Sequence, residues 1–221
     1  DTVELDLPEQ DTKIKGTYDI EIDGAVDDIK SVSAKKEVTT DDTFEMPEYI
    51  VPHNYRNKLV SFCERWRLDA DELNLQYDVK DDRVVFPIEH NGKLVDATGR
   101  SLGKLLPKWK RYGNNPLPYT YGCGKVALVV EDCVSACVSN SNIHTGVAIL
   151  GTSLSEDHKK YLSQFSTAII ALDPDALPKI LQFARELRAY TPDVRVLRLK
   201  DDLKYRNEED IYNLYKLTPK E

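Results

Sequence analysis

The sequence has few cysteines, and their spacing excludes the usual cysteine-based sites. Its four cysteines include no C-x-x-C pair and have no histidine at a zinc-ligand spacing. Cys133 and Cys137 are four residues apart and fall on one predicted helix, which is a poor arrangement for a disulfide. We therefore predict four reduced thiols, no zinc in this chain and a cytoplasmic location.

Long apolar runs are also absent. No run approaches the roughly 20 residues that a membrane-spanning helix needs, so no membrane partner is predicted. Gly122-Cys-Gly-Lys125 is not a phosphate-binding loop, because its spacing is short and valine follows where serine or threonine should bind the metal. No helicase motor is visible. The chain begins at Asp1 rather than Met, so we expect a piece of a longer or processed protein.

The net charge of −8 is distributed unevenly along the chain. Residues 1–50 carry 15 acidic and 5 basic side chains, a net charge of −10, so the remainder has a net charge of +2. Residues 99–125 contain six lysines and arginines and no acid. Such a basic strip is typical of a phosphate-binding surface, which the total charge conceals. Aromatic residues interleave with it and could either stack on nucleic-acid bases or pack on the core: Trp109, Tyr112, Tyr119 and Tyr121.

The first half of the chain is predicted to contain two parts. Residues 1–45 are acidic and polar, which favours an arm or linker with one possible strand at 13–22. Residues 46–122 are predicted to form a small, basic, mixed α+β subdomain. Its predicted elements are a helix at 53–67, a second short helix opened by the capping box Asp69-Ala-Asp-Glu72, a hairpin with strands at 83–88 and 94–98, and a long surface segment at 99–124.

From residue 123 to 221 the pattern changes to alternating strands and helices. The predicted strands cover 126–131, 146–150, 168–172 and 194–199, and the predicted helices cover 132–140, 155–165, 175–190 and 207–217. Apolar runs without alternation indicate strands that are buried on both faces. We therefore predict an α/β domain with a doubly wound, mainly parallel sheet, followed by a C-terminal helix.

Two of these apolar strands end abruptly in acids. Glu131 follows the first, and Asp173 and Asp175 follow the third. The carboxyl ends of strands are where open α/β sheets bind ligands. Carboxylates gathered there repel one another unless a cation lies between them, and a hard divalent ion is the usual partner of oxygen ligands. This pattern predicts a metal site, although Asp132 and Asp173 could each instead be a helix N-cap.

Taken in order, these motifs resemble the Toprim domain that bacterial-type primases, type IA and II topoisomerases and some nucleases share. The motifs are Val-Val-Glu131 leading into a helix, Gly151-Thr-Ser-Leu-Ser after a strand, and Leu-Asp173-Pro-Asp175-Ala. Upstream, Arg83-Val-Val-Phe-Pro-Ile88, Gly99-Arg100 and Pro107-Lys108 resemble the basic subdomain that precedes Toprim in bacterial and phage primases. The resemblance covers about residues 50–205, and within it the sequence is similar above all to bacteriophage-encoded primases.

The resemblance implies an enzyme that makes short RNA primers on single-stranded DNA by nucleotidyl transfer with Mg²⁺ or Mn²⁺. It implies that the catalytic residues are Glu131, Asp173 and Asp175, and that these and Asp202, or alternatively Asp201, bind the metal. It implies phosphate contacts at Arg83, Arg100 and Lys108, to which charge alone adds Lys110, Arg111 and Lys204. The implied partners are the DNA template, ribonucleoside triphosphates and a replicative helicase or other replisome protein, in the bacterial host cytoplasm if the protein is phage-encoded.

The sequence departs from the primase pattern at two points. Asp132 replaces the glycine of the usual Glu-Gly-x-x-Asp motif, and Ser135 stands where the second acid is expected, which removes one candidate metal ligand. The zinc-ribbon cysteines that usually precede such a core are not in this chain. Two alternatives stay open: a Toprim nuclease that uses the same acids, and a non-catalytic module that binds single-stranded DNA or a replisome partner.

Overall fold

A computed structural model describes residues 43–220 of the protein. The predicted strand at 13–22 and nearly all of the predicted acidic arm lie outside the described residues. The division at residues 122 and 123 stays a prediction. No helix in the described part of the chain is long and apolar enough to cross a membrane. All four cysteines are free thiols, as predicted, and three of them are buried.

The first sheet is antiparallel, with its five strands in chain order. They are β1 (Ile50–Pro52), β2 (Gln76–Asp78), β3 (Arg83–His90), β4 (Lys93–Ser101) and β5 (Trp109–Arg111). The two-residue turn between β3 and β4 consists of Asn91 and Gly92, with φ of 53° and 73°. Asparagine and glycine tolerate these left-handed angles, which a tight hairpin turn requires. The predicted hairpin is therefore confirmed, whereas β1 and β2 were not predicted.

The predicted first helix is present as α1 (Asn57–Trp66), which begins four residues later than expected. It buries Leu59, Phe62 and Trp66 on one face, as the apolar spacing predicted. The predicted second helix is wrong. The Asp69 carboxylate does accept from the Asp71 and Glu72 amides, but only turns follow, because Asn74 takes a left-handed φ of 50° and leads the chain into β2.

The segment at 99–124 is more regular than predicted. It contains the end of β4, all of β5 and a further strand, β6 (Tyr119–Tyr121). Strands of three residues are too short to show an alternating pattern, so the sequence predicted a surface segment without elements. β5 pairs with β4, which attaches the basic strip directly to the first sheet.

The second sheet has the strand order β10-β9-β7-β8-β6. Its other strands are β7 (Val126–Val130), β8 (His144–Ala148), β9 (Thr167–Ile170) and β10 (Asp193–Val196). These four are parallel, and β6 joins the edge of β8 in the antiparallel sense. The predicted doubly wound, mainly parallel sheet is therefore confirmed. Its helices are α2 (Cys133–Ala136), α3 (Glu156–Leu162), α4 (Leu177–Leu187) and α5 (Glu208–Leu217).

Helix α2 is much shorter than the predicted 132–140, and short 3₁₀ turns at Pro174–Ala176 and Leu203–Tyr205 precede α4 and α5. The core has an apolar cluster on each face of the second sheet. Along β7, Ala127 and Val129 belong to one cluster, whereas Leu128 and Val130 belong to the other. The second of these clusters also contains side chains of α1 and β3, so it joins the two sheets through one shared core.

Candidate active site

Two neighbouring strands of the second sheet deliver acids to the same edge. Strands β7 and β9 pair in parallel, with Val129 opposite Ile170, so their carboxyl ends lie side by side. Glu131 follows β7 directly and Asp173 follows β9 by three residues. Asp202 comes from the loop after β10, at the start of a 3₁₀ turn. All three acids line one cavity of about 310 Å³.

The first sheet contributes a basic wall to this cavity. Lys108, Trp109 and Arg111 line it from β5 and the residue before it, and Thr98 lines it from β4. Lys204 adds a further cation from the 3₁₀ turn after β10. Carboxylates and positively charged side chains therefore line the same cavity.

Asp173 lies among like charges. Burial and then the charges of Glu131 and Asp202 raise the pKa of its carboxyl to about 7. Lys204 forms ion pairs with two acids of the cavity. Its Nζ lies 3.1 Å from an Asp132 oxygen and 3.0 Å from an Asp202 oxygen. Although burial opposes it, these two acids raise the pKa of Lys204. The site thus concentrates negative charge, part of which Lys204 neutralises.

The chemistry of the acids suits a hard divalent cation. Carboxylate oxygens are its preferred ligands, and a cation would relieve the repulsion that raises the pKa of Asp173. Within residues 43–220, however, no group of three or more His, Cys, Asp or Glu side chains is arranged to hold a metal ion. Lys179 Nζ lies 3.7 Å from a Glu131 oxygen, and Lys204 pairs with Asp202. The acids share the cavity, but their present positions do not surround an ion.

The remaining predicted acids are placed differently. Asp175 is exposed in the 3₁₀ turn before α4 and does not line the cavity. Of the two adjacent candidates, Asp202 lines the cavity, whereas Asp201 is exposed and accepts a hydrogen bond from Asn207 at 3.0 Å. Asp132 accepts from the Ser135 amide at 2.9 Å and caps α2, so its alternative as an N-cap is confirmed. Asp173 occupies the N-cap position of the 3₁₀ turn at Pro174–Ala176, but its side chain makes no capping hydrogen bond.

Ser135, which replaces an expected acid, is buried in α2. It is 1% exposed, its hydroxyl has no hydrogen-bond partner, and it does not line the cavity. An acid at this position of α2 would have to be buried without a partner, which is costly.

The predicted phosphate-binding residues are only partly brought together. Lys108, Arg111 and Lys204 line the cavity. The Arg100 guanidinium lies 5.9 Å from the ring centre of Trp109, next to the cavity wall. Lys110 instead pairs with Asp81, with an Nζ–Oδ2 distance of 2.6 Å.

Arg83 requires a correction. It is 1% exposed, and its Nη1 donates to the Pro107 carbonyl oxygen at 2.7 Å. A side chain this buried is not accessible to a polynucleotide, so the predicted phosphate contact is replaced by a positioning role. Arg83 holds the backbone of the segment that carries Lys108.

Sequence reasoning missed Asp96, which orients Arg111. Asp96 is fully buried in β4, and its carboxylate accepts from Arg111 Nη2 at 2.6 Å and from the Gly113 amide at 2.8 Å. The available signal was an acid between the apolar residues Val95 and Ala97 of a predicted strand, since a buried charge needs a partner. The aromatic residues of the basic strip also differ in position: Trp109 lines the cavity, whereas Tyr119 is 4% exposed in the core.

The fold is similar to that of solved DNA primase catalytic cores. The chain matches the solved structure of the DnaG catalytic core with a TM-score of 0.54, 16% identity and coverage of 72% of each chain. It matches the E. coli primase catalytic core with a TM-score of 0.53 and 17% identity, over 71% of this chain and 72% of that one. At these identities the likeness concerns the fold.

The chain is also similar in sequence to proteins named DNA primase. The chain is 28% identical over 145 residues to a DNA primase of Clostridium acetobutylicum, which covers 57% of this chain and 24% of that protein. It is 30% identical over 141 residues to a DNA primase of Geobacillus stearothermophilus, which covers 55% of this chain and 23% of that protein. The matched part thus spans less than a quarter of each relative. No family model matches the chain.

Proposed function

We propose that this chain is the catalytic core of a DNA primase, which joins ribonucleotides into short RNA primers on a single-stranded DNA template. The observation that carries the proposal is the cavity in which acids at the ends of β7 and β9 face the basic wall of β5. The similarity to DNA primases supports it. Ribonucleoside triphosphates would be the substrates, a replicative helicase a partner, and the cytoplasm the location.

The proposed metal ligands are Glu131, Asp173 and Asp202, with Asp175 as a further candidate. Mg²⁺ or Mn²⁺ bound there would activate the attacking 3′-hydroxyl and neutralise charge on the triphosphate. Glu131 would also accept a proton, and its partly exposed position in the cavity lining supports this role. Acids that follow strand ends are held rigidly, which in-line displacement requires.

The basic wall would bind the phosphates of the template and of the incoming nucleotide. Lys108 supplies an exposed charge, and Arg111 is held in place by Asp96. Trp109 lies between them in the wall and offers a ring on which a base can stack. Contacts from these side chains to phosphates would give affinity rather than sequence specificity.

The proposal is tested by incubating the protein with single-stranded DNA, labelled ribonucleotides and Mn²⁺. We expect oligoribonucleotides from the wild type and none from Asp173→Ala. Glu89→Gln, which alters an exposed acid of the first sheet, is the matched control and should retain synthesis. Shortened DNA without synthesis would indicate a Toprim nuclease instead, and binding without either activity would indicate a non-catalytic module.

The same assay decides the role of Asp175. The resemblance makes it catalytic, yet it is exposed outside the cavity. If Asp175→Ala abolishes synthesis as Asp173→Ala does, Asp175 belongs to the metal-binding set. If Asp175→Ala behaves like Glu89→Gln, the metal set is reduced to the acids that line the cavity.

A further inference from the structure

A second cleft, of about 340 Å³, lies at the C-terminal end of α1. It shares no lining residue with the cavity described above. Its lining comes from three separate parts of the chain: Arg67 just after α1, Val138 and Ser139 after α2, and Arg206 with one side of α5 from Glu208 to Tyr215. Tertiary structure alone therefore creates it.

Two arginines dominate the charge of this cleft. Arg206 is fixed, because its Nη1 donates to the Val138 carbonyl oxygen at 3.0 Å, and its Nε is buried without a partner. Arg67 is exposed. Burial, followed by the charge of Arg67, lowers the pKa of Arg206. No acid within residues 43–220 forms an ion pair with either arginine.

The third polar group of the cleft is an unpaired donor. Ser139 is 8% exposed, and its hydroxyl is buried without a hydrogen-bond partner. Buried polar groups normally have a partner, so an unpaired one that lines a cleft indicates a place for a ligand atom. Two guanidinium groups and a hydroxyl all donate, and such a set matches the oxygens of a phosphate group.

We infer that this cleft binds a phosphate group, carried by a free nucleotide or by a nucleic-acid strand, through Arg67, Arg206 and Ser139. The rest of the cleft suits the remainder of a nucleotide. Val138 and Ile211 are apolar, and the Tyr215 ring, which is 42% exposed, offers a stacking surface. Glu208 also lines the cleft and reduces its positive charge. The volume lies within the range of small-molecule sites, about 300–1,000 Å³.

The test follows the backbone amides of Ser139 and Arg206 by NMR during titration with three probes: inorganic phosphate, AMP and a twelve-residue oligo-dT. We expect saturable shifts of both amides with at least one probe. Arg67→Gln should weaken that binding about tenfold, the usual effect of one charge-assisted hydrogen bond. Ser139→Ala should weaken it severalfold, and Glu208→Gln should strengthen it.

Arg67 is the preferred variant because it is exposed and its loss should not disturb folding, whereas Arg206 holds backbone carbonyls. Lys108→Gln, in the other cavity, should leave the titration of Ser139 unchanged. Shifts with AMP but not oligo-dT would identify a free nucleotide as the source, and the reverse would identify a strand. Absent shifts with all three probes, or shifts that Arg67→Gln does not weaken, would overturn the inference.

The inference does not depend on the proposed activity. Repeating the titration in Asp173→Asn separates the two, because that variant should lose primer synthesis while its Ser139 amide still titrates. Loss of synthesis with retained titration is expected from the proposed function and the cleft together. A wild type that titrates but makes no primer would remove the proposed function and leave the cleft standing.

Discussion

Asp173 combines partial burial with two acidic neighbours, Glu131 and Asp202. A charged carboxylate in that position lowers the stability of the fold, because it is partly buried and close to two other negative charges. Removing its charge should relieve this repulsion. We therefore expect Asp173→Asn to raise the free energy of unfolding by on the order of 1–2 kcal/mol at pH 8 in the presence of EDTA. Urea denaturation measures this, and a variant less stable than the wild type would contradict the repulsion argument.

His158 provides a pH test away from the cavity. Its Nδ1 accepts from the Ser155 amide, and burial lowers its pKa to about 4 from 6.5. The unfolded chain therefore binds a proton more readily, so the stability of the fold decreases as the pH falls from about 6.5 to about 4. His158→Gln keeps a side chain that suits this capping position but cannot titrate.

We expect the free energy of unfolding to change less between pH 7 and pH 5 in His158→Gln than in the wild type. Urea denaturation at the two pH values measures the difference. An identical pH dependence in both proteins would show that His158 is protonated equally in the folded and unfolded states. His144, whose pKa burial also lowers to about 4, remains in the variant and should retain part of the acid sensitivity.

At the scale of elements, the segment from β4 to β5 carries the basic wall. Lys108 is exposed at the cavity. We expect Lys108→Ala to weaken single-stranded DNA binding and to reduce the slope of log affinity against log salt by about 0.7, the value for one lost phosphate contact on a single strand. Fluorescence anisotropy at several salt concentrations measures the slope, and an unchanged slope would remove Lys108 from the phosphate track.

Arg83 is buried and bonds to the backbone of the same segment, so its substitution should have a different effect from that of Lys108→Ala. Arg83→Lys would lose the planar guanidinium that reaches the Pro107 carbonyl. We expect destabilisation by about 1–3 kcal/mol, since a buried acceptor and a buried charge lose their geometry. The salt slope of DNA binding should stay at the wild-type value. A reduced slope with unchanged stability would instead restore the predicted phosphate contact.

At the scale of the whole molecule, one apolar cluster joins the two sheets that carry the acidic and basic walls. Phe86 of β3 is fully buried in that cluster, and its ring lies 5.7 Å from those of Trp109 and Tyr119. Tyr119 belongs to the second sheet, so Phe86 connects the two sheets. We expect Phe86→Ala to cost about 3–5 kcal/mol of stability and to lower primer synthesis, although Phe86 does not line the cavity.

The matched control is its neighbour Val85, which faces the other side of β3. Val85 is equally buried but belongs to a small cluster with Ile50 and Ala97. Val85→Ala should reduce stability without a selective loss of synthesis in the remaining folded protein. Equal losses of activity per folded molecule in the two variants would show that the position of Phe86 between the sheets does not matter.

The sequence by itself determined the second sheet and the acids at its edge. Strands that are buried on both faces are apolar throughout, so β7 and β9 can be predicted from uninterrupted apolar runs. Glu131 and Asp173 follow the ends of these runs. The hairpin of β3 and β4 was legible because Asn91-Gly92 suits a tight turn. Short elements such as β1, β2, β5 and β6 were not, since three residues show no period.

Only the tertiary structure decided which charged residues meet. Asp202 lines the cavity, whereas Asp201 and Asp175 do not. Arg83 is buried, and Lys110 pairs with Asp81. The tertiary structure also assembled the second cleft from Arg67, Ser139 and Arg206, which are far apart in the chain. The physical reason is that charge and spacing state what a residue can bind, whereas burial and the partners supplied by distant elements decide what it does bind.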